Sequence, residues 1–186
     1  MLPTAPERAG DRWSSSVKRL GVPLAVIIVA VIFWRGLFVL AVAITALAGA
    51  AYVYDRWRKW RAVRRFRAVW GTEGRDLLLV YSNSPTWQRY VEQTWLPRWG
   101  HRAVVLNWSE RSKWGRFARA EVALFRAFAG AREFNPLGIV VPARGRNAHV
   151  VRFWLAFREY KHGKDRLLRA AEAELDRCLS SSIAPG

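Results

Sequence analysis

Cysteine is nearly absent from this chain: Cys178 is the only one in 186 residues. A single thiol excludes an intramolecular disulfide and a thiolate metal cluster, and it favours a reducing, cytoplasmic compartment. Histidine is also scarce. His101, His149 and His162 lie far apart and show no ligand spacing, so no metal is expected. No P-loop, GxGxxG, HExxH, EF-hand or GxSxG pattern occurs, so no motif implies a nucleotide, a catalytic zinc, calcium or a serine-hydrolase elbow. No cofactor is expected either. Acid is in short supply, with 14 Asp+Glu against 31 Lys+Arg and a net charge of +17. Such a charge attracts polyanions, either anionic lipid or nucleic acid.

What the chain has in quantity is apolar sequence near its start. Residues 20–54 are almost wholly apolar, interrupted by Arg35-Gly36. One helix of that length would measure about 50 Å at about 1.5 Å per residue. The hydrocarbon core of a bilayer is only about 30 Å thick. Arg35 near its middle would cost about 2.5 kcal/mol or more. Splitting the run at Arg35-Gly36 predicts a transmembrane helical hairpin, with Arg35 reaching the far headgroups beside Trp34. A single spanning helix over 37–54, with 20–34 lying shallow, is the alternative. A signal peptide fits poorly, because a second apolar segment follows at once. Basic residues flank both ends: Arg12, Lys18 and Arg19 before, and a denser cluster after. The soluble part is therefore expected on the cytoplasmic side, in a bacterial cytoplasmic (inner) membrane.

Residues 55–73 read as a basic juxtamembrane helix. Trp57, Trp60, Val63, Phe66 and Trp70 recur at helical spacing, with arginines between them. The expected membrane-interface residues are Arg35, Trp57, Arg58, Lys59, Trp60, Arg61, Arg64 and Arg65, facing anionic lipid at the cytoplasmic surface. Proximity to lipid accounts for this charge more economically than nucleic acid does. A second basic and aromatic surface, from Arg144 to Arg166, is read the same way, since no RNA- or DNA-binding signature accompanies it.

Past Gly71-Thr-Glu-Gly74 the pattern turns to short β-rich runs alternating with helical ones. LLLVYS (77–82) is a strand buried on both faces. Ser84-Pro85 reads as an N-cap followed by proline in the first helical turn. AVVLN (103–107) is a second buried strand, followed by the loop WSERSKWG and a helix over 117–129. Asn135-Pro136 precedes a third strand, LGIVV (137–141). ARGRN turns into a fourth strand, HVVRFWL (149–155). A last helix covers 164–179, with Cys178 as small core filler on its apolar face, and 180–186 reads as a disordered tail.

This β-α-β-α-β-β-α order over 74–179 resembles the thioredoxin-like fold. A proline, usually cis, precedes the third strand in that family, in the place held here by Asn135-Pro136. The family's redox site lies between the first strand and the first helix, where this chain has YSNSPTWQRY. The CxxC is missing: Thr86-Trp87-Gln88-Arg89 stand near its position, so thiol–disulfide exchange has no nucleophile. Relatives that bind glutathione use this region and the cis-proline loop. The resemblance thus implies a ligand site at Ser82, Asn83, Ser84, Thr86, Arg89, Asn135 and Pro136, where a helix N-terminus attracts an anion. Ser109-Glu110 ends the second strand at the same edge, without a placed histidine.

The fold class expected is α/β: a tail over 1–19, an anchor over 20–54, the basic helix over 55–73, the domain over 74–179 and the tail over 180–186. The function expected is a membrane-anchored, non-redox binding module with a protein or small-ligand partner, not an enzyme. The alternatives are a glutathione-type or anionic-ligand enzyme centred on Ser84 and Thr86, and a basic lipid- or nucleic-acid-associated protein.

Overall fold

The computed structural model describes residues 10–115, 119–129 and 135–183, with side chains described for Val26 and from Val29 to Ser182. The chain divides into two compact units, Met1–Tyr52 and Val53–Gly186.

The first unit is helical from Gly10, as part of α1 (Gly10–Trp70). The helix is unbroken at Arg35-Gly36, which corrects the expected hairpin. A glycine inside a helix costs only about 1 kcal/mol relative to alanine. A reversal there would strand the orphan N–H and C=O groups of two helix ends with one dipeptide to satisfy them. The expected tail over 1–19 is likewise helical from Gly10, and residues 1–9 lie outside the described ones. Among the described residues, one helix is long and apolar enough to cross a membrane.

The second unit is a mixed α/β layer structure that includes the last part of α1. That helix stops where a 3-10 turn leads to Gly74 at φ 71°, whose N–H donates to the Gly71 carbonyl, while the Arg75 N–H donates to the Trp70 carbonyl. A left-handed glycine closing the last carbonyls is a common helix stop. Then follow β1 (Leu77–Tyr81), α2 (88–99), β2 (Ala103–Asn107), a 3-10 segment (Trp108–Lys113), α3 (Ala120–Phe128), β3 (Leu137–Val140), β4 (His149–Arg152), α4 (Trp154–Tyr160) and α5 (Arg166–Ile183). Within α2, Gln88–Tyr90 and Leu96–Trp99 flank a π-helical turn, Val91–Trp95. Pro97 explains that turn, because it has no N–H for an i→i−4 bond.

The sheet order is β2-β1-β3-β4. β1 runs parallel to β2, starting at Leu77↔Ala103, and antiparallel to β3, with Val80↔Leu137. β3 and β4 are antiparallel, with Val140↔His149. The continuous apolar run of β1 follows from its central place, since every one of its five residues is buried. Alternate residues face opposite layers. Leu78, Val80, Leu106 and Ile139 pack with Val63 and Phe66 of α1 and with Val122 and Phe125 of α3. Leu77, Leu79, Val140 and Val151 pack with Trp95 of α2, Phe157 of α4 and Leu168 and Leu175 of α5.

Several expectations are corrected here. The stripe assigned to lipid headgroups is divided: Trp57 is exposed, but Val63 and Phe66 are 1% and 0% exposed inside the core. The segment from Val53 therefore folds with the sheet, and the boundary expected at Gly74 falls inside one unit. The fourth strand stops at Arg152, because Phe153, Ala156 and Phe157 recur with helical spacing and bury together, Phe153 as the N-cap of α4 and the other two on it. The expected tail is helical through Ile183, and Ser182 is buried. Residue 117, the expected start of α3, lies outside the described residues.

Candidate functional site

The register of β1 gathers the predicted site residues at one end of the sheet. Tyr81 pairs with Asn107, and Val80 with Leu137, so the loop from Ser82, the start of the 3-10 segment and Pro136 share that edge. The loop is tied to its neighbours. The Ser109 hydroxyl accepts from the Asn83 N–H (3.0 Å), and Asn107 Nδ2 donates to Asn83 Oδ1 (2.7 Å). Ser82 Oγ accepts from Trp87 Nε1 at 3.2 Å. The Ser84 carbonyl accepts from Trp87 and Gln88, so the helix begins at Gln88, and Pro85 and Thr86 lie in an exposed turn ahead of it. That corrects the expected helix start: the side chains of Asn107, at the end of β2, and Ser109, in the 3-10 segment, hold the loop in its own hydrogen-bonded turn. Arg89 is exposed. The Asn135-Pro136 peptide is cis, and the Pro136 carbonyl accepts from the Phe153 N–H at 3.0 Å. Asn135 Oδ1 is buried without a hydrogen-bond partner. Asn107 and Ser109, the hubs of this network, were legible only as residues of the same sheet edge.

The opposite end of the sheet holds a cavity of about 710 Å³ that no sequence motif announces. It lies wholly within the second unit, bounded by the last turns of α1, the starts of β1 and β2, the end of β3 and the end of α5. Three arginines line it, and each is held differently. Arg102 grips Asp76 through two nitrogens, with Nε–Oδ1 at 2.9 Å. It also donates to the Leu179 carbonyl (2.9 Å) and to Ser182 Oγ (2.8 Å). Arg75 pairs with exposed Glu73 at 3.1 Å, and its guanidinium lies 5.6 Å from the Trp70 ring centre. Arg67 Nη2 donates to the carbonyls of Pro142 (2.7 Å) and Gly145 (3.1 Å). Its Nε is buried without an acceptor. Among the described residues no carboxylate pairs with Arg67.

A third polar group lies between α2 and α5. Trp95 Nε1 and the Tyr90 hydroxyl both donate to Glu172 Oε1, at 2.7 and 2.9 Å. Burial, followed by the bond to Glu172, pushes the Tyr90 phenol up to about 12. Cys178 is half-buried beside this aromatic layer, and its thiol is pushed up, first by burial and then by Glu174.

The expected interface residues on α1 keep their charges outward. Arg35, Trp57, Arg58, Arg61, Arg64 and Arg65 are exposed, whereas Lys59 and Trp60 are half-buried. Arg61 stacks over Trp57 at 5.2 Å and Arg64 over Trp60 at 5.6 Å. Lys59 and Arg58 pair with Asp55 at 2.6 and 3.2 Å. Arg56, Trp57, Trp60, Arg146 and Asn147 border a shallow cavity of about 360 Å³.

No family model, curated protein or solved structure matches the chain. The functional reading therefore rests on the geometry of the chain itself.

Proposed function

We propose that this chain is a binding module anchored to a membrane by one spanning helix, with a cytoplasm-facing thioredoxin-like domain that carries no thiol exchange. The carrying observation is the stretch between Arg35 and Asp55. Residues 36–54 are nineteen in a row without a charge, helical throughout, and every Leu, Ile, Val, Phe and Tyr on them is exposed. At about 1.5 Å per residue they measure about 28 Å, close to the hydrocarbon thickness of about 30 Å. Water is a poor solvent for so long an apolar surface. The one aliphatic hydroxyl in the stretch, Thr45 Oγ1, donates to the Ala41 carbonyl at 2.8 Å, as a hydroxyl in lipid must. Trp34 marks one end, and Tyr52, Tyr54 and Trp57 mark the other.

The arginine cluster after the span favours the domain on the cytoplasmic side, with anionic lipid as the partner of Arg58, Lys59, Arg61, Arg64 and Arg65. The thioredoxin-like reading is supported by the strand order, by β3 as the one strand that runs opposite to the other three, and by α2 and α5 on one face with α3 on the other. The cis Asn135-Pro136 peptide before β3 is in keeping with it. With Thr86-Trp87-Gln88-Arg89 near the redox position, the domain binds without exchanging disulfides.

Alkaline carbonate extraction of the full-length protein tests the anchor: it stays with the membrane pellet, and release as a soluble monomer overturns the proposal. Topology is read with Ser15→Cys in a Cys178→Ser background. One pass makes that cysteine reactive to an impermeant maleimide from the side opposite the domain.

A further inference from the structure

The cavity at the start of β1 is a second feature, independent of the membrane anchor, and its charge is unbalanced. Arg102 is neutralised by Asp76, with side chains only 17% and 20% exposed. The Arg75–Glu73 pair is 40% and 51% exposed, so water screens it and it is a weak pair. Arg67 has two carbonyl acceptors and no carboxylate, although its side chain is largely enclosed. A partly buried guanidinium without a counter-ion is unfavourable unless something completes its shell. Its buried, unpartnered Nε marks the same deficit. The rest of the lining is largely apolar: Phe66, Val141 and Ala143. A volume of about 710 Å³ is within the range of small-molecule pockets, about 300–1,000 Å³.

From this we infer that the cavity binds a small molecule carrying a carboxylate or phosphate on an apolar body. The oxyanion meets the Arg67 guanidinium, with the less firmly paired Arg75 as its second cation. The apolar body lies along Phe66 and Val141. Arg102 and Asp76 form the fixed polar wall, and Ser182 ties that wall to the end of α5. Arginine suits this role because its planar donors match an oxyanion in pairs.

The test uses the full-length protein in neutral detergent, with empty micelles as the blank. Phenyl phosphate and benzoate are titrated by ligand-observed NMR, with benzyl alcohol as the uncharged comparison. Phenyl phosphate or benzoate shows saturable binding at about 1 mM or tighter, the range open to so small a ligand, and benzyl alcohol does not. Arg67→Gln weakens the binding about tenfold or more. Since Arg67 also holds the Pro142 and Gly145 carbonyls, that variant can lose its fold. Thr72→Glu is the companion: it adds an anion at the exposed rim and leaves those bonds in place, and it weakens binding several-fold. Lys113→Gln removes a charge away from the cavity and leaves the affinity unchanged. The inference is overturned if neither acid saturates, if benzyl alcohol binds as well, or if Thr72→Glu binds as tightly as the natural chain. Failure here leaves the carbonate result untouched, so the two readings fall separately.

Discussion

The indole N–H of Trp95 donates to Glu172 Oε1 at 2.7 Å, joining the π-helical turn of α2 to the middle of α5. Trp95 is fully buried, and the same oxygen accepts from the Tyr90 hydroxyl at 2.9 Å. One carboxylate thus satisfies two donors that have left water. Glu172→Leu removes both acceptor positions and destabilises the protein by about 2–4 kcal/mol. Glu172→Gln keeps an acceptor oxygen and costs about 1 kcal/mol. Urea unfolding measures both, and a double cycle with Trp95→Phe shows coupling of about 0.5–3 kcal/mol. Equal losses in the two Glu172 variants would show that the acceptor is not what matters.

The same contact makes stability depend on alkaline pH. The Tyr90 phenol titrates at about 12 when folded, against an ordinary value of 10.0. The folded state therefore holds this proton more tightly than the unfolded state. Its contribution is complete below about pH 10 and is lost as pH rises through about 12. Tyr90→Phe does not titrate there. The drop in urea midpoint between about pH 9 and about pH 11.5 is smaller in Tyr90→Phe than in the natural chain. Identical drops would contradict the shift.

The end of α5 belongs to the fold. Ser182 accepts from Arg102 at 2.8 Å and donates to Asp76, whose partner is again Arg102. Ser182→Ala costs about 1 kcal/mol, and removing 180–186 costs about 1–3 kcal/mol. Thermal unfolding in detergent is the measurement. A truncated protein as stable as the full chain would restore the disordered tail that composition alone predicts.

Gly138 of β3 faces α5 at close quarters. A Cβ there would lie 3.3 Å from Leu175 Cδ1 and 3.4 Å from Leu77 Cδ1, both on fully buried side chains. Gly138→Ala therefore overpacks the layer and costs about 1–3 kcal/mol. Adding Leu175→Val relieves part of that loss. A neutral Gly138→Ala would mean that Leu175 shifts freely.

Legibility in the sequence followed how local each signal was. LLLVY could be read as a buried central strand because burial on both faces leaves no polar position. The stop of α1 was visible in Gly74, since a left-handed residue favours glycine. Phe153 to Phe157 misled, because their β-preferring aromatics also suit a helix, and only packing against α5 and Trp95 selects between the two. Arg35-Gly36 looked like a hairpin tip, but intrinsic helix preference carries across a single glycine. Ser82, Asn83 and Ser84 were found at the strand end where expected. Their engagement with Asn107 and Ser109 depends on a parallel register that spacing does not encode.

The chain's order of residues alone determined the long apolar run, the arginine-rich segment after it, the near absence of cysteine and three of the four strands as runs. Those follow from composition and from periodicities that a few consecutive residues carry. Tertiary structure decided that Val63 and Phe66 belong to the core and that α5 extends to Ile183. It also decided that Arg67, Asp76, Arg102 and Ser182 meet in one cavity. Residues so far apart in the chain come together only when two faces of one sheet are covered at once, and that depends on the whole set of packed layers.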